Sequence, residues 1–170
     1  TLTSGLLTVG EGAFESCTGL TGVLTIPDGV TTVSSAAFSN CTGLTGVSVP
    51  ASVISIGRGS FENCTAVTAF AVDADNANYT SADGVLFDKI ITTLMQYPAA
   101  SALTTYTVPD TVTVIDGGAF NGAVNLTGVT MQSGLKTIGE AAFFNCRNVT
   151  YLVIPASVTE IGNYEFTQGA

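Results

Sequence analysis

Six phenylalanines set the spacing of this chain. Phe14, Phe38, Phe61, Phe120, Phe143 and Phe166 are separated by 24, 23, 59, 23 and 23 residues. The interval of 59 is one period of 23 with 36 residues added. The heptapeptide CTGLTGV stands at 17–23 and again at 41–47, 24 positions later. A catalytic motif needs to appear once. Self-similarity at a fixed interval marks a unit too small to close its own core, which must bury its apolar face against copies of itself.

Each position of the unit has a physical reading. The unit from 38 is FSNCTGLTGVSVPASVISIGRGS, and that from 143 is FFNCRNVTYLVIPASVTEIGNYE. The shared pattern is F-x-x-C-x-x-L-x-x-V-x-V/I-P-x-x-V-x-x-I-G-x-x-A. The segment L-x-x-V-x-V predicts a short strand, with Val47 and Val49 turned inward and Ser48 outward. Pro27, Pro50, Pro109 and Pro155 follow it, and proline has no N–H with which to continue a ladder. The next stretch, V-x-x-I-G-x-x-A-F, has apolar spacings of three to five residues and predicts a helical or 3-10 turn returning along the other side. Gly10, Gly57, Gly139 and Gly162 share one place in that turn, which suggests a left-handed backbone there. Ser34 and Asp116 interrupt the column.

The added residues fall at about 73–102 and read DADNANYTSADGVLFDKIITTLMQYPAASA. Asp83-Gly84 is a turn signal, and VLF (85–87) with TLMQY (93–97) predicts a pair of strands. LTTYTVP (103–109) then restores the repeat. LTSGLLTVGEGAF (2–14) matches MQSGLKTIGEAAF (131–143), so the chain opens inside a unit at Thr1 and reads as a trimmed segment of a longer array.

Composition narrows the function. Thirteen acidic residues face four basic ones, for a net charge of −9, which argues against nucleic acid and anionic membrane as partners. No apolar run approaches the ~20 residues that span a bilayer. The chain has no histidine, so the commonest general base and metal ligand are both missing. No paired-carboxylate constellation and no phosphate loop stand out, and no catalytic residue, cofactor or metal is expected.

The pattern C-x-x-L-x-x-V-x-I-P-x-x-V-x-x-I-G-x-x-A-F resembles the BspA-type leucine-rich repeat of bacterial surface proteins, over nearly the whole chain. The N-x-x-Y-x-S-x-D-G-V-L-F insert, here from Asn76 and Tyr79 through Asp83 and Gly84, is similar to hairpins in such arrays. The resemblance implies one α/β solenoid domain over 1–170, a right-handed leucine-rich-repeat array. A parallel sheet of about seven short strands would line one face, helical or 3-10 turns the other, with one inserted β-hairpin. It also implies an extracellular or cell-surface location, and adhesion to a protein or glycan.

Several columns invite a chemical reading. Cys17, Cys41, Cys64 and Cys146 share one position, which Ala123 fills in another copy. In-register side chains run parallel and hold Cβ atoms too far apart for disulfides, so buried thiols beside the six phenylalanines are expected. Ser16, Asn40, Asn63, Gly122 and Asn145 precede that position and read as side chains bonding corner backbone. N-x-T triplets, among them those at Asn40, Asn63, Asn78 and Asn148, fit a glycan acceptor formally. Counted from Asp73, a calcium loop would need Gly at Asn78 and Glu at Gly84, so that pattern fails.

Thr21, Thr45, Thr68, Thr104, Thr127 and Thr150 form another column. With the outward strand positions Thr25, Ser48, Ala71, Thr107, Thr130 and Val153 they predict a flat, uncharged face. That face reads either as a self-satisfying threonine ladder or as a recognition surface, with Tyr151 as a candidate contact and Phe70 as core. The hairpin tip is the second candidate. A structural spacer without a ligand is the alternative function, and uncapped apolar ends predict end-to-end self-association.

Overall fold

The structure, a computed structural model, describes residues 2–163. Along them run fifteen short strands: β1 (Thr8–Val9), β2 (Gly22–Thr25), β3 (Thr32–Val33), β4 (Leu44–Val49), β5 (Ser55–Ile56), β6 (Phe70–Val72), β7 (Tyr79–Ala82), β8 (Val85–Asp88), β9 (Thr93–Gln96), β10 (Thr105–Thr107), β11 (Val114–Ile115), β12 (Gly128–Thr130), β13 (Thr137–Ile138), β14 (Tyr151–Val153) and β15 (Glu160–Ile161).

They wind as a β-solenoid of about seven turns. On the first face β2, β4 and β6 form one parallel sheet, and β10, β12 and β14 another. The first face is therefore two three-stranded sheets rather than the single sheet expected, because the inserted hairpin lies between β6 and β10. On the second face β1, β3 and β5 pair in parallel, as do β9, β11, β13 and β15. Register follows the sequence period: Val47 sits opposite Leu24 on one side and Phe70 on the other. Val47 and Val49 are buried and Ser48 is half-exposed, as strand alternation requires. Each proline carbonyl then opens a tight turn, accepting the N–H of Val30, Val53, Val112 or Val158 three residues on.

The helical turns expected on the second face are absent: the described residues contain no helix. The V-x-x-I stretch forms two-residue strands, and the following corner is a chain of tight turns. Two residues per corner are left-handed, such as Ala36 (φ 54°) with Asn40 (φ 59°) and Ala141 (φ 55°) with Asn145 (φ 58°). A helix needs consecutive right-handed residues and sends every N–H to its own chain. Here the donors alternate. Ala37, Ser39 and Cys41 bond Ser34, Ala36 and Phe38 within the corner, while Ala36, Phe38 and Asn40 donate to Arg58, Ser60 and Glu62 of the next coil.

The left-handed backbone expected at the shared glycines also lies elsewhere. Gly57 and Gly139 are not left-handed, and at these two positions the preceding coil approaches closely. A Cβ on Gly57 would lie 2.3 Å from the Ser35 nitrogen, and one on Gly139 would lie 2.5 Å from the Gly117 nitrogen. Within the corners the left-handed positions are the columns of Gly12, Ala36, Gly59, Gly118 and Ala141, and of Ser16, Asn40, Asn63, Gly122 and Asn145.

Two apolar cores fill the solenoid, one on each side of the hairpin. Phe14, Phe38 and Phe61 stack at 5.2 and 5.7 Å in the first, and Phe120 and Phe143 at 4.8 Å in the second. At the interruption Tyr97 stacks on Phe120 and Phe70 meets Phe61 edge-on. Phe166 lies outside the described residues.

The hairpin belongs to the core. β7 and β8 pair antiparallel around Asp83 (φ 50°) and Gly84 (φ 77°), two left-handed residues that match a type I′ turn. β8 pairs antiparallel with β9, as expected for 85–87 and 93–97, and β9 then joins β11 in parallel. β8 is buried on both faces: Leu86 enters the first core, Val85 and Phe87 the second. Side chains of the insert replace the hydrogen bonds that a regular coil would supply. The Ile56 N–H donates to the Tyr79 hydroxyl at 2.8 Å. Buried Asn76 donates to Pro50 and Val53 carbonyls and accepts from the Asn78 and Tyr79 N–H groups. Gln96, also buried, donates to the carbonyls of Gly118 and Ala119. Leaving such backbone groups unpaired would cost roughly 1–3 kcal/mol each.

Candidate functional site: the first strand face

The outward side chains of the first face form rows across the strands. Thr107, Thr130 and Val153 stand side by side, as do Thr105, Gly128 and Tyr151. Tyr151 is 63% exposed and Val153 55% exposed. Tyr151 leans over the neighbouring strand, where a Cβ on Gly128 would meet its Cβ at 3.7 Å. Small residues at one position thus make room for a large exposed residue beside them. Thr107 and Thr130 are exposed and their hydroxyls make no hydrogen bond among the described residues.

The threonine column behaves differently. Thr21, Thr45, Thr68, Thr104, Thr127 and Thr150 are all exposed. Thr68 sends both its N–H and its hydroxyl to the Thr45 carbonyl, at 2.9 and 3.0 Å. Thr127 does the same to Thr104, at 2.7 and 3.0 Å, and Thr150 to Thr127, at 2.9 and 3.5 Å. These hydroxyl protons clasp coil to coil and leave methyl groups and oxygen lone pairs facing outward. The second face repeats the device at Thr31, Thr113 and Thr159.

The hairpin turn fills the gap between the two sheets. The Phe70 N–H donates to the Gly84 carbonyl at 2.8 Å, and a Cβ on Gly84 would meet Ala69 at 3.0 Å. The tip therefore packs against the face instead of projecting from it, with the Asp83 side chain exposed. Burial pushes the Tyr106 hydroxyl well above the usual tyrosine range, with smaller contributions from Tyr97 and Asp83. Phe70 is core.

All four cysteines are free thiols. Cys41, Cys64 and Cys146 are buried, and Cys17, in the first coil, is half-buried. Each buried thiol donates to the phenylalanine carbonyl of the preceding coil: Cys41 to Phe14, Cys64 to Phe38 and Cys146 to Phe120, at 3.0, 3.1 and 3.1 Å. Sequence reasoning treated them as apolar filler and missed this bond. Burial pushes Cys64 and Cys146 up to about 12, which removes thiolate chemistry at neutral pH. In the column before them, Asn63 donates to the Asn40 side chain at 2.7 Å and Asn40 to the Ser39 hydroxyl at 3.0 Å. These amides bond neighbouring side chains rather than the corner backbone, and asparagine's tolerance of left-handed geometry was the legible signal.

A charged cluster occupies the corners that follow the second-face strands. Arg58 approaches Asp116 at 3.8 Å and Glu140 at 3.6 Å, while the half-buried Glu62 accepts a hydrogen bond from Asn121. These contacts tie coils on either side of the insert and were not foreseen. Among the described residues no group of three or more His, Cys, Asp or Glu side chains could hold a metal ion.

Comparison with known proteins adds the family. The model of the BspA-type leucine-rich repeat region matches residues 1–94 and 95–169, in six copies. The crystal structure of the pneumococcal vaccine antigen PcpA superposes with a TM-score of 0.88 at 25% identity, over 94% of this chain and 45% of that one. A leucine-rich repeat protein from Eubacterium ventriosum gives 0.73 at 26%, over 94% and 54%. A leucine-rich cell surface protein from Faecalibacterium prausnitzii gives 0.73 at 28%, over 89% and 46%. The chain thus spans about half the length of each of these structures. No curated protein sequence matches it significantly. The six repeat copies, matched across nearly all 170 residues, place this chain in the BspA-type leucine-rich repeat family.

Proposed function

We propose that this chain is a non-enzymatic binding module of a bacterial surface or secreted protein, holding a protein or glycan partner on its first strand face. The observation that carries the reading is the row Thr107, Thr130 and Val153 beside Tyr151. It combines unengaged hydroxyls, an exposed aromatic ring and exposed aliphatic groups on a rigid sheet without charge. Such a surface presents contact area at low entropic cost, and tyrosine is a frequent anchor of interfaces. Extended solenoid faces are common binding surfaces. The family and the similarity to a vaccine antigen and a cell surface protein support the surface location.

A spacer function is favoured by a different observation: the hydroxyls of Thr68, Thr127 and Thr150 are engaged in holding coils together. One panel separates the two. Immobilised extracellular-matrix and serum proteins and a glycan array are probed with the chain and with a Thr107→Arg/Thr130→Arg variant. Saturable binding that the variant loses supports the strand face. Binding kept by the variant moves the site away from it, and silence across the panel leaves the spacer ahead.

A further inference from the structure

The ladders that tie coil to coil all stop at one place. The sheets built from β1–β6 and those built from β7–β15 share no strand. In the corners, Ala36, Phe38 and Asn40 donate to the next coil, as do Gly118, Phe120 and Gly122. The matching N–H groups of Gly59, Phe61 and Asn63 find no backbone acceptor among the described residues. Ring contacts stop there too. They link Phe14, Phe38, Phe61 and Phe70 on one side and Tyr97, Tyr106, Phe120 and Phe143 on the other, and among the described residues none crosses. Two backbone hydrogen bonds do cross, from the Phe70 N–H to the Gly84 carbonyl and from the Ala100 N–H to the Val67 carbonyl, each at 2.8 Å. Side chains make the other polar links. The Ile56 N–H donates to the Tyr79 hydroxyl, the Val72 N–H to the Ser81 hydroxyl, and Asn121 to Glu62. Arg58 pairs with Asp116 and Glu140, and ion pairs as exposed as these contribute little. Apolar contact across the seam comes from Tyr79, Leu86 and Met95, which reach the first core from the second half.

We propose that this seam is a joint. Residues 2–72 and 79–163 part there as two intact bodies, at a lower free energy than either needs to unfold. Proteins open in cooperative units, and the boundary between units falls where few contacts cross. The pivot is Asn76, buried in the connection between the halves. Its side chain donates to the Pro50 and Val53 carbonyls of the first half and accepts the Tyr79 N–H of the second. A load along the solenoid axis passes through every coil interface in series, so the seam yields first. The angle between the two first-face sheets changes with it, which gives the chain a hinge that an uninterrupted array of these coils would lack.

Native-state hydrogen exchange on the whole chain reads the opening. The seam amides are those of Ile56, Phe70, Val72 and Ala100, which donate across it. The amides of Phe38 and Phe120 donate within one half each, to Ser60 and Ala142, and serve as reporters of the two bodies. Tyr79→Phe deletes one acceptor at the seam and should speed all four seam amides together, by about fivefold or more. Ile26→Val and Ile138→Val each thin the core of one half, at buried positions away from the seam. They should speed Phe38 and Phe120 respectively by about threefold or more, and change the four seam amides by less than about twofold. Seam amides that accelerate in step with Phe38 or Phe120 in these core variants would open only when a half unfolds, which would overturn the joint. Acceleration in Tyr79→Phe that is absent or confined to Ile56 would overturn it as well, since separate local fraying moves each amide alone.

Discussion

Gly57→Ala tests the stacking account most sharply, because the repeat supplies its own control. Gly57 and Gly10 occupy the same place in the repeat. A Cβ on Gly57 would lie 2.3 Å from the Ser35 nitrogen and 2.7 Å from the Ser34 carbonyl carbon, whereas nothing lies within 4 Å of one on Gly10. Neither glycine is left-handed, so alanine brings no dihedral penalty at either position. Where space allows, removing a glycine stabilises by about 0.4–1 kcal/mol through the unfolded chain. Restoring ordinary contact at Gly57 requires the coils to part by about 1 Å, since carbon contacts are favourable only near 3.5–4 Å. The Gly57 N–H donates to the Val33 carbonyl at 2.7 Å, so that separation strains the ladder itself. Overpacking of this kind costs about 1–3 kcal/mol. Gly57→Ala should therefore lose about 1–3 kcal/mol and Gly10→Ala gain about 0.4–1, read by urea denaturation with unchanged slope. At about 2–4 °C per kcal/mol the two melting points should separate clearly. Equal stability of the two variants would refute close coil approach as the reason for the column.

The thiols give a second prediction: at pH 8 in the folded protein a thiol-reactive dye labels Cys17 and spares Cys64 and Cys146, whose ionisation burial pushes up to about 12. Rapid labelling of Cys64 or Cys146 before unfolding would contradict that burial. Glu62 gives a third. Burial raises its carboxyl above the ordinary 4.5, outweighing the Asn121 hydrogen bond, with Glu140 adding a smaller push upward. The folded state then holds the proton more tightly than the unfolded chain. The associated stability is fully present below 4.5 and is lost as pH rises through the higher folded value. Glu62→Gln should accordingly gain stability at pH 7 relative to the natural chain, and the gain should fade as pH falls toward 4. A gain that stays constant from pH 4 to pH 7 would rule out this origin.

Much of the fold was legible. The phenylalanine period gave the coils, the alternation around Val47 and Val49 gave the first-face strands, and Asp83-Gly84 gave the hairpin turn. The corners were misread because apolar spacings of three to five are shared by helices and by turns that return to the core each time. The contrary signal was the column of Ser16, Asn40, Asn63, Gly122 and Asn145, residue types that tolerate a left-handed backbone. The splice around the insert was hidden for another reason. Asn76, Tyr79 and Gln96 bond backbone groups 22 to 26 residues away, and which carbonyls face them depends on how the coils stack. The candidate face was visible as columns of threonine. Which hydroxyls remain unengaged was not, because Thr127 and Thr130 differ only in whether a neighbouring carbonyl lies within reach.

The most direct test of the central claim compares two charged double variants on opposite faces. Thr107→Arg/Thr130→Arg alters the first face, and Ser55→Arg/Glu160→Arg alters exposed positions of the second. Affinity for whichever panel partner binds the chain is measured for both, with folding checked by thermal melting. A strand-face module predicts a loss of about tenfold or more, or 1.4 kcal/mol, in the first variant and little change in the second. The reverse pattern would contradict the assignment of function to the first strand face.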